Sequence, residues 1–244
     1  MRRAALLATL LVVAGCGGGG EETQDGAATP WPEATASPQA SFRRPGPGEV
    51  LTTFLRAAEG KDGRRMWTLL SHPTRHRFGP TFRRFRDGPA RRLVRLARPF
   101  HGQFELVLAE RITTRWGVAA VTGPRGEPPF AAALRLEGRR WKLELGGSIS
   151  ITAVRPNPRE RVESRSQVAA EVKAPAVIQE AGLWLDGLAL RARGGGLSPK
   201  RLTMFAEAAD LAPGGHAAVA FTSTARDAAA LAWTFTATGL DPRE

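Results

Sequence analysis

Eleven arginines stand between Arg64 and Arg98, with Asp87 the single acid among them. Guanidinium groups suit bidentate contacts to phosphate better than ammonium groups do. Projected from one helical face, they would attract phosphate or carboxylate polymers and anionic headgroups. The candidate anion-binding residues are Arg75, Arg77, Arg83, Arg84, Arg86, Arg91, Arg92 and Arg95. A solvated surface is the competing reading, because charge runs are commonly solvent faces. The scarcity of Lys and the absence of Tyr fit the codon usage of a high-GC genome. His72 and His76 have the spacing of two ligands on one helical face. Pro73 lies between them, and no Cys, Asp or Glu stands between Asp62 and Asp87, so two solvated histidines in a basic loop are expected. His101 and Glu105 form an unpartnered acid–base pair of residue types at the entrance of a strand region. His216 sits in a Pro-Gly-Gly-His turn, where capping is the expected role. Gly194-Gly195-Gly196 lacks the Lys-Ser/Thr and helix start of a phosphate-binding loop and reads as a flexible loop. No Gly-x-Ser-x-Gly occurs. No catalytic constellation emerges, and neither an enzymatic activity nor a cofactor or metal is expected.

The chain's one cysteine, Cys16, closes an apolar N-terminal segment. Arg2 and Arg3 precede the apolar run Ala4–Val13, and Val13-Ala14-Gly15-Cys16 follows. A run this short cannot cross the hydrocarbon core, which takes about 20 apolar residues, so residues 1–15 read as a secretory signal peptide. The same four residues resemble the lipobox of bacterial lipoproteins. That resemblance implies cleavage between Gly15 and Cys16, a diacylglycerol on the Cys16 sulfur, and Cys16 as the mature N-terminus. The alternative is an ordinary signal peptide with an incidental cysteine. With no other cysteine, no intrachain disulfide can form, so an exported fold must stand on its apolar core. A two- or three-chain acyl anchor at Cys16 would hold the protein stably on the membrane.

After Cys16, the rest of residues 16–46 begins with four glycines and continues rich in Glu, Thr, Ala, Pro and Ser. They lack helical or strand periodicity and read as a disordered tether. About 30 such residues reach on the order of 30 Å. The net charge of +12 is uneven: residues 47–150 carry 20 basic and 9 acidic side chains, against 11 and 10 in residues 151–244.

From Pro47 to Asp87 the spacing of Val50, Phe54, Leu55, Ala58, Met66, Trp67, Leu69 and Leu70, then Phe78, Phe82 and Phe85, is helical. Asp62 is a helix cap, and Ser71-His72-Pro73 is a helix end. Leu93, Val94, Leu96 and Ala97 suggest a further short helix beyond Asp87-Gly88-Pro89. After Pro99 the period becomes two. Strands are expected over 104–112, 113–122, 130–136 and 141–145, the last two joined by a turn at 137–140. Helices followed by an antiparallel meander make residues 47–148 an α+β domain. The residues 50–58, 62–63 and 66–71, with the paired strands ending at Trp141-Lys142-Leu143, resemble the NTF2-like fold. That resemblance implies helices across a curved antiparallel sheet that forms a cone, and it supplies no reaction.

Residues 149–240 read as short strands with turn signals, an all-β sandwich, with Asp186-Gly187 as a hairpin turn. Trp184-Leu185-Asp186-Gly187, residues 211–216 and Trp233-Thr234-Phe235-Thr236 resemble the small Ig-like domains of bacterial envelope proteins. The pair Ala228-Ala229 departs from the turn usual there. The expectation from sequence is a non-enzymatic lipoprotein on the outer face of the cell membrane of a high-GC Gram-positive-type bacterium. Its NTF2-like module would bind a ligand or envelope partner, and the Ig-like module would serve as spacer or interaction surface. The alternatives are a small-molecule binder or enzyme using the cone pocket, and electrostatic docking of residues 64–98 on anionic envelope polymer. Nucleic acid is not an expected partner of an exported protein.

Overall fold

Helix α1 (Pro47–Glu59) starts where Pro47 fixes φ at the first helical position, and Glu49 Oε2 accepts the Gly46 N–H at 2.8 Å. Its buried stripe is Val50, Leu51, Phe54, Leu55 and Ala58. Asp62 caps α2 (Gly63–Leu69), its carboxylate accepting the Arg65 N–H at 2.8 Å, as its position foretold. The computed structural model describes residues 44–124 and 127–238. The signal peptide with Gly15, Cys16, nearly all of the tether and positions 239–240 lie outside the described residues.

Ser71-His72-Pro73 both ends one helix and begins the next. Leu70 turns extended, and α3 (His72–Phe78) follows at once, with the Ser71 hydroxyl accepting the Thr74 N–H at 3.2 Å. Proline in the first turn lacks only an N–H that would have no helical partner, so it favours a start as readily as a stop. The two histidines expected in a loop therefore stand on α3. Helices α4 (Phe82–Asp87) and α5 (Pro89–Ala97) and a 3₁₀ turn over Arg98–Phe100 complete the helical part.

Four strands then form an antiparallel meander in sequence order: β1 (Glu105–Arg111), β2 (Trp116–Thr122), β3 (Phe130–Glu137) and β4 (Arg140–Glu144). The β3–β4 hairpin closes at Glu137 and Arg140 around Gly138 and Arg139, both with positive φ, the signature of a type I′ turn. The rest is all strand. In chain order it comprises β5 (Ser150–Arg155), β6 (Arg161–Val162), β7 (Ser166–Lys173), β8 (Ile178–Leu185), β9 (Leu188–Ala189), β10 (Arg193–Ser198), β11 (Arg201–Ala208), β12 (Gly214–Thr224) and β13 (Ala228–Ala237). One sheet has the order β10-β11-β7-β5, and the other has β6-β13-β12-β8-β9. Asp186 and Gly187, with φ +49° and +81°, make the two-residue β8–β9 turn. Gly194 and Gly195, expected in a flexible loop, lie in β10, where the ladder to β11 holds their backbone.

Alternation along the central strands orders the layers. In β2, Ala119 and Val121 face the helices, while Trp116, Val118 and Ala120 face away. In β12, Val219 and Phe221 meet that second face of the meander, and Ala218 and Ala220 face the sheet containing β7. The order is helices, meander, the β12 sheet, then the β7 sheet. Two of the three sheets are thus covered on both sides. Such strands lose the apolar–polar alternation and become apolar throughout, which accounts for the alanine runs 131–133, 217–218 and 228–230. The described residues belong to one compact unit.

Candidate anion-binding site

The candidate arginines have four different fates. Arg77 is clasped internally: it pairs with Glu144 Oε1, reaches Asp227 Oδ1 at 3.2 Å, and donates to the Leu145 carbonyl. The Glu144 side chain is fully buried and also takes Arg135 Nε at 2.8 Å. Arg135 in turn donates to the Arg226 carbonyl and lies 4.6 Å from the Trp116 ring centroid. Arg115 bonds the Ala225 carbonyl at 2.8 Å. These three arginines therefore grip the β12–β13 turn and weld the meander to the sandwich. Burial would raise the Asp227 carboxyl, but two hydrogen bonds from Ser148 and the Arg77 guanidinium hold it below its ordinary value.

Arg86 pairs with Asp87 at 3.0 Å, both well exposed, an arrangement worth little in water. Arg83, Arg84, Arg91, Arg92 and Arg95 are exposed on α4 and α5 with no carboxylate partner among the described residues. Helix α5 turns Ala90, Leu93 and Ala97 inward. Arg91 and Arg95, one turn apart, therefore share its outer face, and Arg98 follows exposed in the 3₁₀ turn. Leu96 is 47% exposed beside them.

Arg75 is the fourth case. Its guanidinium carbon stands 5.5 Å from the Trp67 ring centroid, and Nη2 donates to the Thr68 carbonyl at 3.0 Å. Trp67, His72, Arg75, His76 and Pro80 line an open pocket of ≈ 260 Å³. The structure brings the two histidines together on this pocket. Among the described residues no group of three His, Cys, Asp or Glu could hold a metal. Lys142, on β4, donates to the same Thr68 carbonyl. Its amino group is held below its ordinary value by burial, and then by Arg75 and Arg140, with Glu137 opposing. Sequence spacing drew attention to Arg75 and the histidines, but Trp67 and Lys142 carried no signal: one sat in a core stripe, the other in an alternating strand.

The remaining candidates stay apart. His101 follows the 3₁₀ turn with its Nε2 buried and unpartnered, and Glu105 opens β1 exposed. His216 is half of an ion pair that sequence distance concealed. Its Nδ1 lies 2.6 Å from Asp186 Oδ2, its Nε2 2.8 Å from the Ala212 carbonyl, and its ring stacks on Phe235. Burial opposes its charge, yet the Asp186 and Ala212 bonds prevail and raise its pKa. Asp186 also accepts the Ala217 N–H at 2.8 Å. The turn it begins abuts β1 at the Val107 bulge. Trp184 Nε1 donates to Glu110 Oε2 at 2.7 Å nearby. Leu51, Phe54, Met66, Phe85, Leu134 and Leu143 are fully buried between helices and meander, and two open clefts border the same layers: one of ≈ 330 Å³ beside Phe78, Leu93, Leu96 and Phe130, and one of ≈ 450 Å³ beside Arg56, Glu59, Phe104 and Glu105.

No protein-family model matches the chain, and no curated protein does. Among solved structures, an endo-β-1,4-mannanase from Thermotoga petrophila aligns at 8% identity and TM-score 0.33, over 40% of this chain and 21% of that one. CopC from Methylosinus trichosporium OB3b aligns at 14% and 0.29, over 39% of this chain and all of that one. The titin M4 domain aligns at 19% and 0.27, over 38% and 99%. Likenesses this weak carry no argument about function.

Proposed function

We infer that this chain is a lipid-anchored, non-enzymatic envelope protein that meets an anionic partner at the membrane surface through α4 and α5. In this reading Cys16 carries the acyl chains, residues 16–46 are the tether, residues 47–148 are an NTF2-like module and residues 149–240 an Ig-like one. The observation that carries it is the exposed set Arg83, Arg84, Arg91, Arg92 and Arg95 on α4 and α5, which has no carboxylate partner among the described residues, Asp87 being paired with Arg86. The clasp of Arg77, Arg115 and Arg135 on the β12–β13 turn favours a rigid body that presents the surface at a set orientation.

Two measurements test it. Substituting Cys16→Ser should release the protein from the membrane fraction, and firm retention would remove the anchor. The unacylated Cys16→Ser chain should still bind phosphatidylglycerol vesicles, with affinity falling steeply as salt rises. Changing Arg83, Arg84, Arg91 and Arg92 to Gln together should weaken that binding about a thousandfold, at about 1 kcal/mol per charge near an anionic surface. Binding indifferent to salt would refute the arginine surface.

A further inference from the structure

The pocket between α2 and α3 gathers more positive charge than its surroundings compensate. Arg75 Nη2 and the Lys142 ammonium converge on one oxygen, the Thr68 carbonyl. Two donors on one acceptor place their nitrogens within about 6 Å of each other. Arg75 Nε is buried with no hydrogen-bond partner. Neither cation has a carboxylate partner among the described residues. Glu137, the acid that acts on Lys142, places both carboxylate oxygens on the His72 N–H, at 2.9 and 3.2 Å. Two like charges held together, partly out of water, are an arrangement that an anion relieves.

The other walls suit such a ligand. Trp67 is fixed by Phe85 at 5.0 Å and Phe82 at 6.5 Å and offers a rigid apolar wall. His72 and His76, one turn apart on α3, present imidazoles able to donate to oxygen. A volume of ≈ 260 Å³ falls below the range of about 300–1,000 Å³ for drug-sized ligands, which favours a small group. We propose that the Trp67–His72–Arg75–His76 pocket binds a phosphate-sized oxyanion, either inorganic phosphate or a terminal phosphate ester, with Arg75 as the fork and Lys142 as the second charge behind it. This site uses different elements from the α4–α5 surface and stands whether or not the chain is anchored.

The chain's four lysines, Lys61, Lys142, Lys173 and Lys200, make the test selective. Limited acetylation of the full chain near neutral pH, read per lysine by mass spectrometry, follows Lys142 separately from the other three. Millimolar inorganic phosphate should slow Lys142 about threefold, because a bound anion favours its charged, unreactive form. Lys61, Lys173 and Lys200 should not respond, with chloride of equal ionic strength as control. Glycerol 1-phosphate and phosphatidic acid vesicles, both with a terminal phosphate monoester, run as further arms. Selective protection by the soluble ester alone assigns a soluble ligand, and selective protection by vesicles assigns a lipid headgroup. Arg75→Gln should abolish the protection. Should that variant lose its far-UV circular dichroism, His76→Gln, at an exposed position, must weaken the protection instead. Equal slowing of all four lysines, no slowing of Lys142, or protection that survives both substitutions would overturn the site.

Discussion

Glu144→Gln is expected to destabilise the whole body, because the carboxylate it removes is shared by two guanidinium groups. The Glu144 side chain is fully buried, Arg135 is 10% exposed and Arg77 is 29% exposed. Breaking a buried ion pair by deleting one partner costs about 3–5 kcal/mol, since a charge is left uncompensated. Arg77 keeps Asp227 and some solvent, so the stranded charge is mainly Arg135, which retains the Arg226 carbonyl and the Trp116 face. The low end, about 3 kcal/mol, is therefore the figure to expect. With an m-value of about 3 kcal/mol/M, the urea midpoint should fall by about 1 M. Equilibrium unfolding followed by tryptophan fluorescence measures this, and the Arg135→Met background gives the control. There the Glu144→Gln cost should shrink by more than 1 kcal/mol, the usual size of coupling between residues in contact. A single-mutant loss below about 1 kcal/mol, or an equal loss in both backgrounds, would refute the claim that this carboxylate holds in place two of the arginines that grip the β12–β13 turn.

Three further outcomes follow from the same structure. Gly187→Ala should lower stability by at least about 1–2 kcal/mol, because φ is +81° and an added Cβ would stand 2.4 Å from the Val107 carbonyl oxygen; an unchanged urea midpoint would contradict that close approach. The raised pKa of His216 means its contribution is complete below pH 6.5 and is lost as pH climbs through the folded value. Thermal melts across this range should show that loss, and His216→Gln should flatten it. Asp227 works in the opposite direction. Its lowered pKa contributes stability above pH 3.8 that disappears as pH falls through the folded value, so Asp227→Asn should blunt the acid limb of the same profile.

Much of the local structure was legible because it rests on near-neighbour chemistry. The Asp62 cap, the Asp186-Gly187 turn and the switch from helical to strand period after Pro99 each need only a few adjacent residues, and each is present. The helix end at Ser71-His72-Pro73 was legible, but the helix start in the same residues was not, because a proline that cannot continue one helix is equally fit to open another. The alanine runs of β3, β12 and β13 held a signal that the alternation template passed over. Strands buried on both faces cannot alternate, and small side chains recur where sheets stack on both sides.

The sequence by itself determined the charge of the helical segment, the element types, the turns and the position of the lone cysteine, since all of these depend on composition or short spacing. Tertiary structure alone decided which arginine does what. Arg77 and Arg75 are two residues apart, yet one is closed on Glu144 and Asp227 and the other opens on a pocket beside Trp67. Asp186 and His216, 30 positions apart, meet because β8 and β12 pair in one sheet. A charge has a meaning only through what lies within a few ångströms of it, and for these residues those neighbours come from distant parts of the chain.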